Sequence, residues 1–259
     1  MARHSSKLLW VQASIPYFQY PSLSQNGNLV HGVFTRCGGS SNPPYQSLNT
    51  SYAVGDVPES VTGNLQSIKE TIRANQLLYM NQSHGDRILV MREGEYNPST
   101  KVPSADAMIT NISGLALMVK LADCQGVIIF DHKNRVLATV HCGWRGNVKN
   151  VLKKAVTRMT KEFGSSPSDL LAAISPSLGP CCAEFVTHEV IFPETFKQFM
   201  IRENYFDLWA MSRWQLMEAG LREENIEIAG ICTRCRIDLF YSYRGEGQTG
   251  RFGAVAMLA

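Results

Sequence analysis

The pattern of apolar and polar positions is clearest between Ala122 and Asn147. Two apolar runs, 127–130 and 136–140, flank a polar turn, Asp131-His132-Lys133-Asn134, and predict a β-hairpin. A hairpin of that length returns Cys124 and His141 to one sheet edge. The glycine-rich loop Gly143-Trp144-Arg145-Gly146 follows. Then Val148, Val151, Leu152, Ala155, Val156 and Met159 fall on one helical face, with Lys149, Lys153, Lys154 and Arg158 opposite. One helix is expected, ending at Gly164. Its N-terminus, behind two glycines and beside Arg145, is an expected anion site.

The same reading along the chain predicts strands at 8–12, 29–36, 77–80, 87–91, 107–110, 115–121, 170–174, 226–231, 239–243 and 253–258. Helices are expected from Ser60 to about Asn75, through 184–201 with a break near Pro193, and over 208–220. Residues 97–104 and the glycine-containing stretches at 37–41, 175–182 and 244–251 read as loops. Strands and helices mix without strict alternation, and no linker or repeat interrupts them. The expectation is α+β: a single domain over residues 1–259, built on mixed β-sheets.

Composition narrows the function classes. A hydrophobic content of 44% suffices for a buried core. The net charge of +3 is mild and its cations are scattered, so nucleic acid is not implied, while a small anionic substrate stays open. No apolar run reaches bilayer length, so no membrane partner is expected. The N-terminal stretch lacks the sustained apolar core of a signal peptide. Seven cysteines, unevenly spaced, fit reduced thiols in a cytoplasm better than a disulfide framework.

Candidate chemistry gathers at strand–loop junctions. His84, Cys124 and His141 together supply two imidazoles and a thiolate, a ligand set of zinc sites that keep a position open. Taken singly, each has a plainer reading: a satisfied polar histidine, or a small core cysteine. Arg36, Arg145, Arg244 and Arg251 each lie in or beside a glycine-containing loop and could clamp phosphate or carboxylate. Any one alone would ordinarily be a solvated surface arginine. Asp123 and Asp106 could carry a proton or orient a ligand histidine, and Glu184 more weakly so. Cys142, next to His141 on a strand, should face the other way. The adjacent pair Cys181-Cys182 has poor geometry for one ion. Cys232-Thr-Arg-Cys235 is a C-x-x-C whose functional reading is half of a structural zinc site or a redox pair; with no second copy, two ordinary buried thiols are the expectation.

Three rival classes stay open on these residues. Cys124 could be a nucleophile with His141 as its base, making a metal-independent hydrolase or amidase. A copper polyphenol oxidase would need more histidines than the six present. A zinc-stabilised binding module would need a fourth protein ligand, for which Cys37 and Cys142 are the candidates.

A family resemblance then enters. The chain resembles the YfiH family, labelled laccase-domain or polyphenol oxidase proteins and also described as purine nucleoside phosphorylases. The matching stretches include Gly32-Val33-Phe34-Thr35-Arg36, Gln82-Ser83-His84-Gly85, Ala105-Asp106, Ala122-Asp123-Cys124, His141-Cys142-Gly143-Trp144-Arg145-Gly146, Gly179-Pro180-Cys181-Cys182, Tyr241-Ser242-Tyr243-Arg244 and Thr249-Gly250-Arg251. They run in the family's order along nearly the whole chain. The resemblance implies a layered α/β sandwich related to cysteine-dependent deamidase toxins. It implies a cytoplasmic enzyme that binds Zn2+, with Cu2+ as the other metal, through His84, Cys124 and His141. Implied reactions are phosphorolysis of adenosine, inosine and methylthioadenosine, and deamination of adenosine. The partners would be a nucleoside and phosphate, with Asp123 moving a proton and Arg36, Arg145 and Arg244 holding phosphate. The H-x-E and P-C-x-x-C signature of zinc nucleobase deaminases is absent. Gln125-Gly126 departs from the Val, Pro or Leu usual after Asp-Cys, which points to an altered pocket wall.

Overall fold

The computed structural model describes residues 8–95, 97 and 104–259. Most of the polar loop expected at 97–104 therefore lies outside the described residues, as do residues 1–7. The strands are β1 (Leu9–Val11), β2 (Tyr17–Gln19), β3 (Leu29–Phe34), β4 (Gln76–Tyr79), β5 (Ile88–Met91), β6 (Ala107–Thr110) and β7 (Leu115–Leu121). They continue with β8 (Gln125–Asp131), β9 (Val136–Cys142), β10 (Leu171–Ile174), β11 (Met200–Arg202), β12 (Tyr205–Phe206), β13 (Ile226–Ile228) and β14 (Phe252–Leu258). The helices are α1 (Pro21–Ser24), α2 (Pro58–Thr71), α3 (Trp144–Val148), α4 (Val151–Phe163), α5 (His188–Ile191), α6 (Leu208–Glu218) and α7 (Tyr243–Glu246).

Two six-stranded mixed sheets carry the fold, in the orders β1-β2-β3-β14-β7-β4 and β13-β10-β8-β9-β6-β5. Their facing sides interlock: Leu117, Val119 and Leu121 of β7 share a core with Ile128 and Phe130 of β8 and Leu137 of β9. The outer side of the first sheet packs Ala116, Met118 and Val255 on Val61, Leu65 and Ile68 of α2. The outer side of the second packs Val127, Ile129, Ala138 and Val140 on Val151, Leu152, Ala155, Val156 and Met159 of α4, with Leu216 of α6. The result is four layers, helix–sheet–sheet–helix. Central strands covered on both faces are apolar along most of their length, which is why the middles of β7, β8 and β9 read as hydrophobic runs rather than as alternation, with polar residues such as Lys120, Gln125, Asp131 and His141 at or near the strand ends. Each such side chain contributes roughly 1.5–3 kcal/mol by leaving water, and emptying one, as in Phe130→Ala, costs about 3–5 kcal/mol.

Three expectations need correcting. The helix expected through Gly164 is two helices, because Asn150 adopts φ 54°, breaks the ladder, and caps α4 by accepting from the Lys153 N–H. Gly164, at φ 70°, ends α4 as foreseen. The strand expected at 239–243 is a turn: the N–H groups of Leu239 and Phe240 both donate to the Arg236 carbonyl. Phe240 and Tyr241 are apolar because this turn plugs the core between the sheets. Residues 184–201 form only α5, a 3-10 segment, Glu194–Phe199, and the start of β11. Their hydrophobic residues instead join Phe185, Phe192, Phe196, Phe199 and Phe206 in an aromatic cluster under Met211 of α6.

Candidate active site

The register of the β8–β9 hairpin pairs Gly126 with His141 and Gln125 with Cys142. Cys124 thus stands one residue beyond the pair that flanks His141. Alternation along β9 sends Cys142 into the helix-side core and His141 to the face between the sheets. His84 arrives from the β4–β5 loop. That loop is laid along the end of β7 by Gln82, whose side-chain amide accepts from Lys120 N–H and donates to Lys120 C=O, both at 2.8 Å. The three potential ligand atoms of His84, Cys124 and His141 lie within 4.8 Å of one another, and the two imidazoles meet edge to face at 4.9 Å. His84 is exposed, Cys124 half-buried and His141 buried.

Asp106 builds the site from behind. Its carboxylate accepts from the N–H groups of Ser83, His84 and Gly85 at 3.2, 2.9 and 2.7 Å and from the Ser83 hydroxyl at 2.9 Å. The same group meets His141 Nδ1 at 2.9 Å, and the Asp106 carbonyl accepts the His141 N–H at 2.7 Å. One buried acid therefore fixes both histidines and leaves His141 Nε2 for the centre. His84 is held at φ 56° and Asp123, beside the third ligand, at φ 82°. Both are left-handed conformations that non-glycine residues adopt at a cost of about 1–3 kcal/mol, sustained here by the surrounding bonds. Gly143 completes the close fit, since a Cβ there would lie 2.7 Å from Cys124 Sγ.

The electrostatics follow from this packing. Burial by itself would raise the Cys124 thiol, but the His141 and His84 rings outweigh it and hold the thiol at about 6. Burial by itself would lower His141, but the Cys124 sulfur and the Asp106 carboxylate lift it to about 9. Asp106 likewise has burial working against its charge, reversed by His141 and by the N–H groups of its loop, and lies well below the usual carboxylate range. Without a metal, the pair is a thiolate beside an imidazolium.

The three residues open into a cavity of roughly 700 Å³, within the range of small-molecule sites. Of the sequence-derived arginines, Arg145, Arg244 and Arg251 line it. Arg145 stacks on Trp144, 4.3 Å from the ring centroid. Arg244 donates to the Glu184 carbonyl at 2.8 Å and lies over Phe185. Arg36 is elsewhere: buried, over the Tyr241 ring, donating to Glu246 and to the carbonyls of Gln46 and Ile237. It braces the α7 turn and does not line the cavity. Asp123 does line it, and its carboxylate accepts from Thr233 and Ser242 hydroxyls at 2.7 Å and from the Arg244 N–H at 2.6 Å. Gln125, the departure noted in the sequence, is buried and ties the wall to α6 through the Leu208 carbonyl and Ser212. Gly126 serves close sheet packing, as an added Cβ would lie 2.8 Å from Leu121.

Lys120 and Tyr243 also line the cavity and were not singled out from the sequence. Lys120 had a legible signal, a lone cation inside the apolar run of β7; burial lowers its pKa, and it sits over the Tyr79 ring. Neither Cys37 nor Cys142 joins the group of three among the described residues.

Comparison with known proteins bears on the fold and the family. The sequence pattern of the family described as multi-copper polyphenol oxidoreductase laccase matches residues 30–259. A purine nucleoside phosphorylase of Bacteroides thetaiotaomicron is 32% identical, over 90% of this chain and 92% of its own length. Purine nucleoside phosphorylase YlmD of Bacillus subtilis is 29% identical over 87% of each chain. The structure of the Bacillus licheniformis hypothetical protein YfiH superposes with a TM-score of 0.86 at 26% identity, covering 96% of this chain and 99% of that one. YlmD from Geobacillus stearothermophilus gives the same score and identity over 97% and 99%.

Proposed function

This chain belongs to the family described as multi-copper polyphenol oxidoreductase laccase, with relatives named purine nucleoside phosphorylase, and from that premise we propose that it is a zinc-dependent purine nucleoside phosphorylase that also deaminates adenosine. Adenosine, inosine and methylthioadenosine are its substrates, split by phosphate into free base and ribose 1-phosphate or its methylthio counterpart. The observation that carries the reading is the His84, Cys124 and His141 group at one end of a cavity walled by Arg145, Arg244 and Arg251. Two imidazoles and a thiolate, oriented by Asp106, fit a zinc ion with a position left open. The bound ion would supply Lewis acidity at the cavity's end. The guanidinium groups hold phosphate against the sugar, and Trp144 and Tyr243 offer ring faces for the purine. A carboxylate has about four acceptor sites. Three of those on Asp123 are taken by protein donors, so a free one remains to exchange a proton with substrate in deamination. The same donors bind Cu2+, but only two histidines of the described residues enter the group, too few for a multi-copper oxidase. Seven unpaired thiols support a reducing, cytoplasmic setting. No helix among the described residues is long and apolar enough to cross a membrane.

The test is to incubate purified protein with adenosine, with and without phosphate, and identify the products. Adenine with ribose 1-phosphate supports phosphorolysis, and inosine supports deamination. Equal absence of turnover in wild type and His84→Ala would overturn the nucleoside assignment.

A second reading rests on a separate observation. Cys124, His141 and Asp106 stand in the order nucleophile, base and orienting acid, with the thiol held at about 6. That is the arrangement of a metal-independent cysteine hydrolase or amidase, and it would suit the implied kinship with deamidase toxins. Chelation separates the two. Activity that vanishes with the metal, and metal that vanishes in Cys124→Ala, favour the ligand role; activity surviving chelation but not alkylation of Cys124 favours the nucleophile.

A further inference from the structure

The pair Cys181-Cys182 and the pair Cys232 and Cys235 are not the unrelated thiols expected from their spacing. They meet. Their four Sγ atoms lie within 4.8 Å of one another, and Cys235 Sγ is 3.6 Å from both Cys181 Sγ and Cys182 Sγ. A tetrahedron of thiolates at a zinc–sulfur distance of about 2.3 Å has edges of about 3.8 Å. We propose that Cys181, Cys182, Cys232 and Cys235 form a tetrathiolate site for a structural zinc ion, distinct from the His84–Cys124–His141 group.

The backbone delivers these sulfurs without help from a ligand. Gly179 C=O accepts the N–H groups of Cys182 and Ala183, both at 2.9 Å, closing a turn in which two adjacent residues aim at one point. Cys232 C=O accepts the Arg236 N–H at 3.0 Å, closing a second turn around the C-x-x-C. The two turns are laced together by Ser177, which donates to Ile231 C=O at 3.2 Å and accepts from Thr233 N–H at 3.0 Å. Gly179 permits the approach, since a Cβ there would lie 2.9 Å from the Cys232 Cβ and 2.8 Å from the Trp209 ring. Its N–H donates to Cys232 Sγ at 3.3 Å, a bond suited to a coordinated thiolate.

The chemistry of the donors narrows the choice of ion. An all-sulfur group of four suits zinc and excludes magnesium or calcium, and four protein ligands close the shell, as in structural sites. Four thiols in mutual contact resist ionising together, because each thiolate would repel its neighbours. A divalent cation removes that penalty. The site also has a task. The loops it would staple hold the residue next to Cys124, through Leu178 N–H to Asp123 C=O at 2.8 Å and Thr233 hydroxyl to the Asp123 carboxylate at 2.7 Å.

Metal counting tests the proposal. After reduction and loading with zinc, wild type should hold two equivalents by mass spectrometry of the metal, and Cys124→Ala should hold one. The Cys232→Ser/Cys235→Ser double variant should also fall to one and keep the Cys124 site. Cys124→Ala leaves the four-cysteine turns untouched, so it answers even if the double variant fails to fold. Loaded with Co2+, it should show the intense thiolate charge-transfer and visible bands of a tetrahedral four-sulfur site. Cys124→Ala that binds no stoichiometric zinc or cobalt would overturn the assignment. So would mass spectrometry showing these four cysteines paired as disulfides in protein purified without oxidation.

Discussion

Gly143→Ala isolates the sterics of the ligand cysteine. Gly143 sits at φ −86° and ψ −176°, extended backbone that any residue adopts, so alanine adds no backbone strain. The new Cβ would lie 2.7 Å from Cys124 Sγ and 3.6 Å from His84 Cδ2. Comfortable contact is about 3.5–4.0 Å, so the sulfur must retreat by about 1 Å. A zinc–sulfur bond of about 2.3 Å tolerates only ~0.2 Å. Zinc affinity at this site should therefore drop by at least the roughly 10–100-fold seen when a ligand's support is disturbed, and phosphorolysis with it. The fold should suffer little. Cys124 borders the cavity and its sulfur can swing there, which keeps the cost in the metal-free protein near the ~1 kcal/mol end of overpacking. Zinc competition against a chromophoric chelator, adenosine turnover, and urea melts of the metal-free protein measure the three quantities. As a control, Gly63→Ala on the exposed face of α2 should stabilise by up to about 1 kcal/mol and leave zinc unchanged. A Gly143→Ala protein that holds zinc and turns over adenosine like wild type would refute the reasoning.

Asp106→Asn should cut zinc affinity about 10–100-fold and destabilise the 83–85 loop, because one amide cannot serve His141 and three N–H groups as a carboxylate does; unchanged affinity would count against its orienting role. In the Cys232→Ser/Cys235→Ser variant, which leaves only the His84–Cys124–His141 group, zinc binding at about pH 7.5 should release about one proton, from His141 (about 9), since Cys124 (about 6) is already ionised. Calorimetry in buffers of different ionisation enthalpy reads this number, which should fall above pH 9 and rise below pH 6; a constant value across pH would contradict the ion pair. His31 is buried, accepts from the Tyr20 N–H through Nε2, and leaves Nδ1 without a partner. Burial lowers its pKa to about 4. The unfolded chain, near 6.5, therefore binds the extra proton, so the stability His31 contributes is complete above pH 6.5 and is lost toward pH 4, by about 3 kcal/mol. Urea melts of wild type and His31→Gln should diverge in pH slope only within that window; parallel slopes would be the contrary result.

Much of the core was legible because burial on both faces leaves a plain mark. The runs at 107–110 and 115–121 became β6 and β7 without change, and Val61, Leu65, Ile68 and Ile72 pack together as read. The hairpin carried Cys124 and His141 to one edge because its register is set by the turn. What failed was apolar sequence without a period. Phe240 and Tyr241 look like strand but plug the core from a turn, and residues 184–201 are hydrophobic because aromatic side chains pack there, not because a helix shows one face. Arg36 resembled Arg145 and Arg244 in its glycine-rich neighbourhood, yet its partner Glu246 lies far along the chain and draws it away from the cavity. The four cysteines escaped for the same reason, since spacing within each pair says nothing of the loop that brings the pairs together.

β14 lies between β3 and β7, antiparallel to both. The last strand described is thus the keystone of the first sheet. While the ribosome is still short of residue 252, β3 and β7 have no partner for the edges that β14 will fill, and unfilled edges invite wrong pairing. We expect nascent chains stalled before that point to be protease-sensitive and bound by holding chaperones, and chains extruded through residue 258 to become resistant at once. Resistance already present in the shorter chains would mean that the sheet closes in some other order.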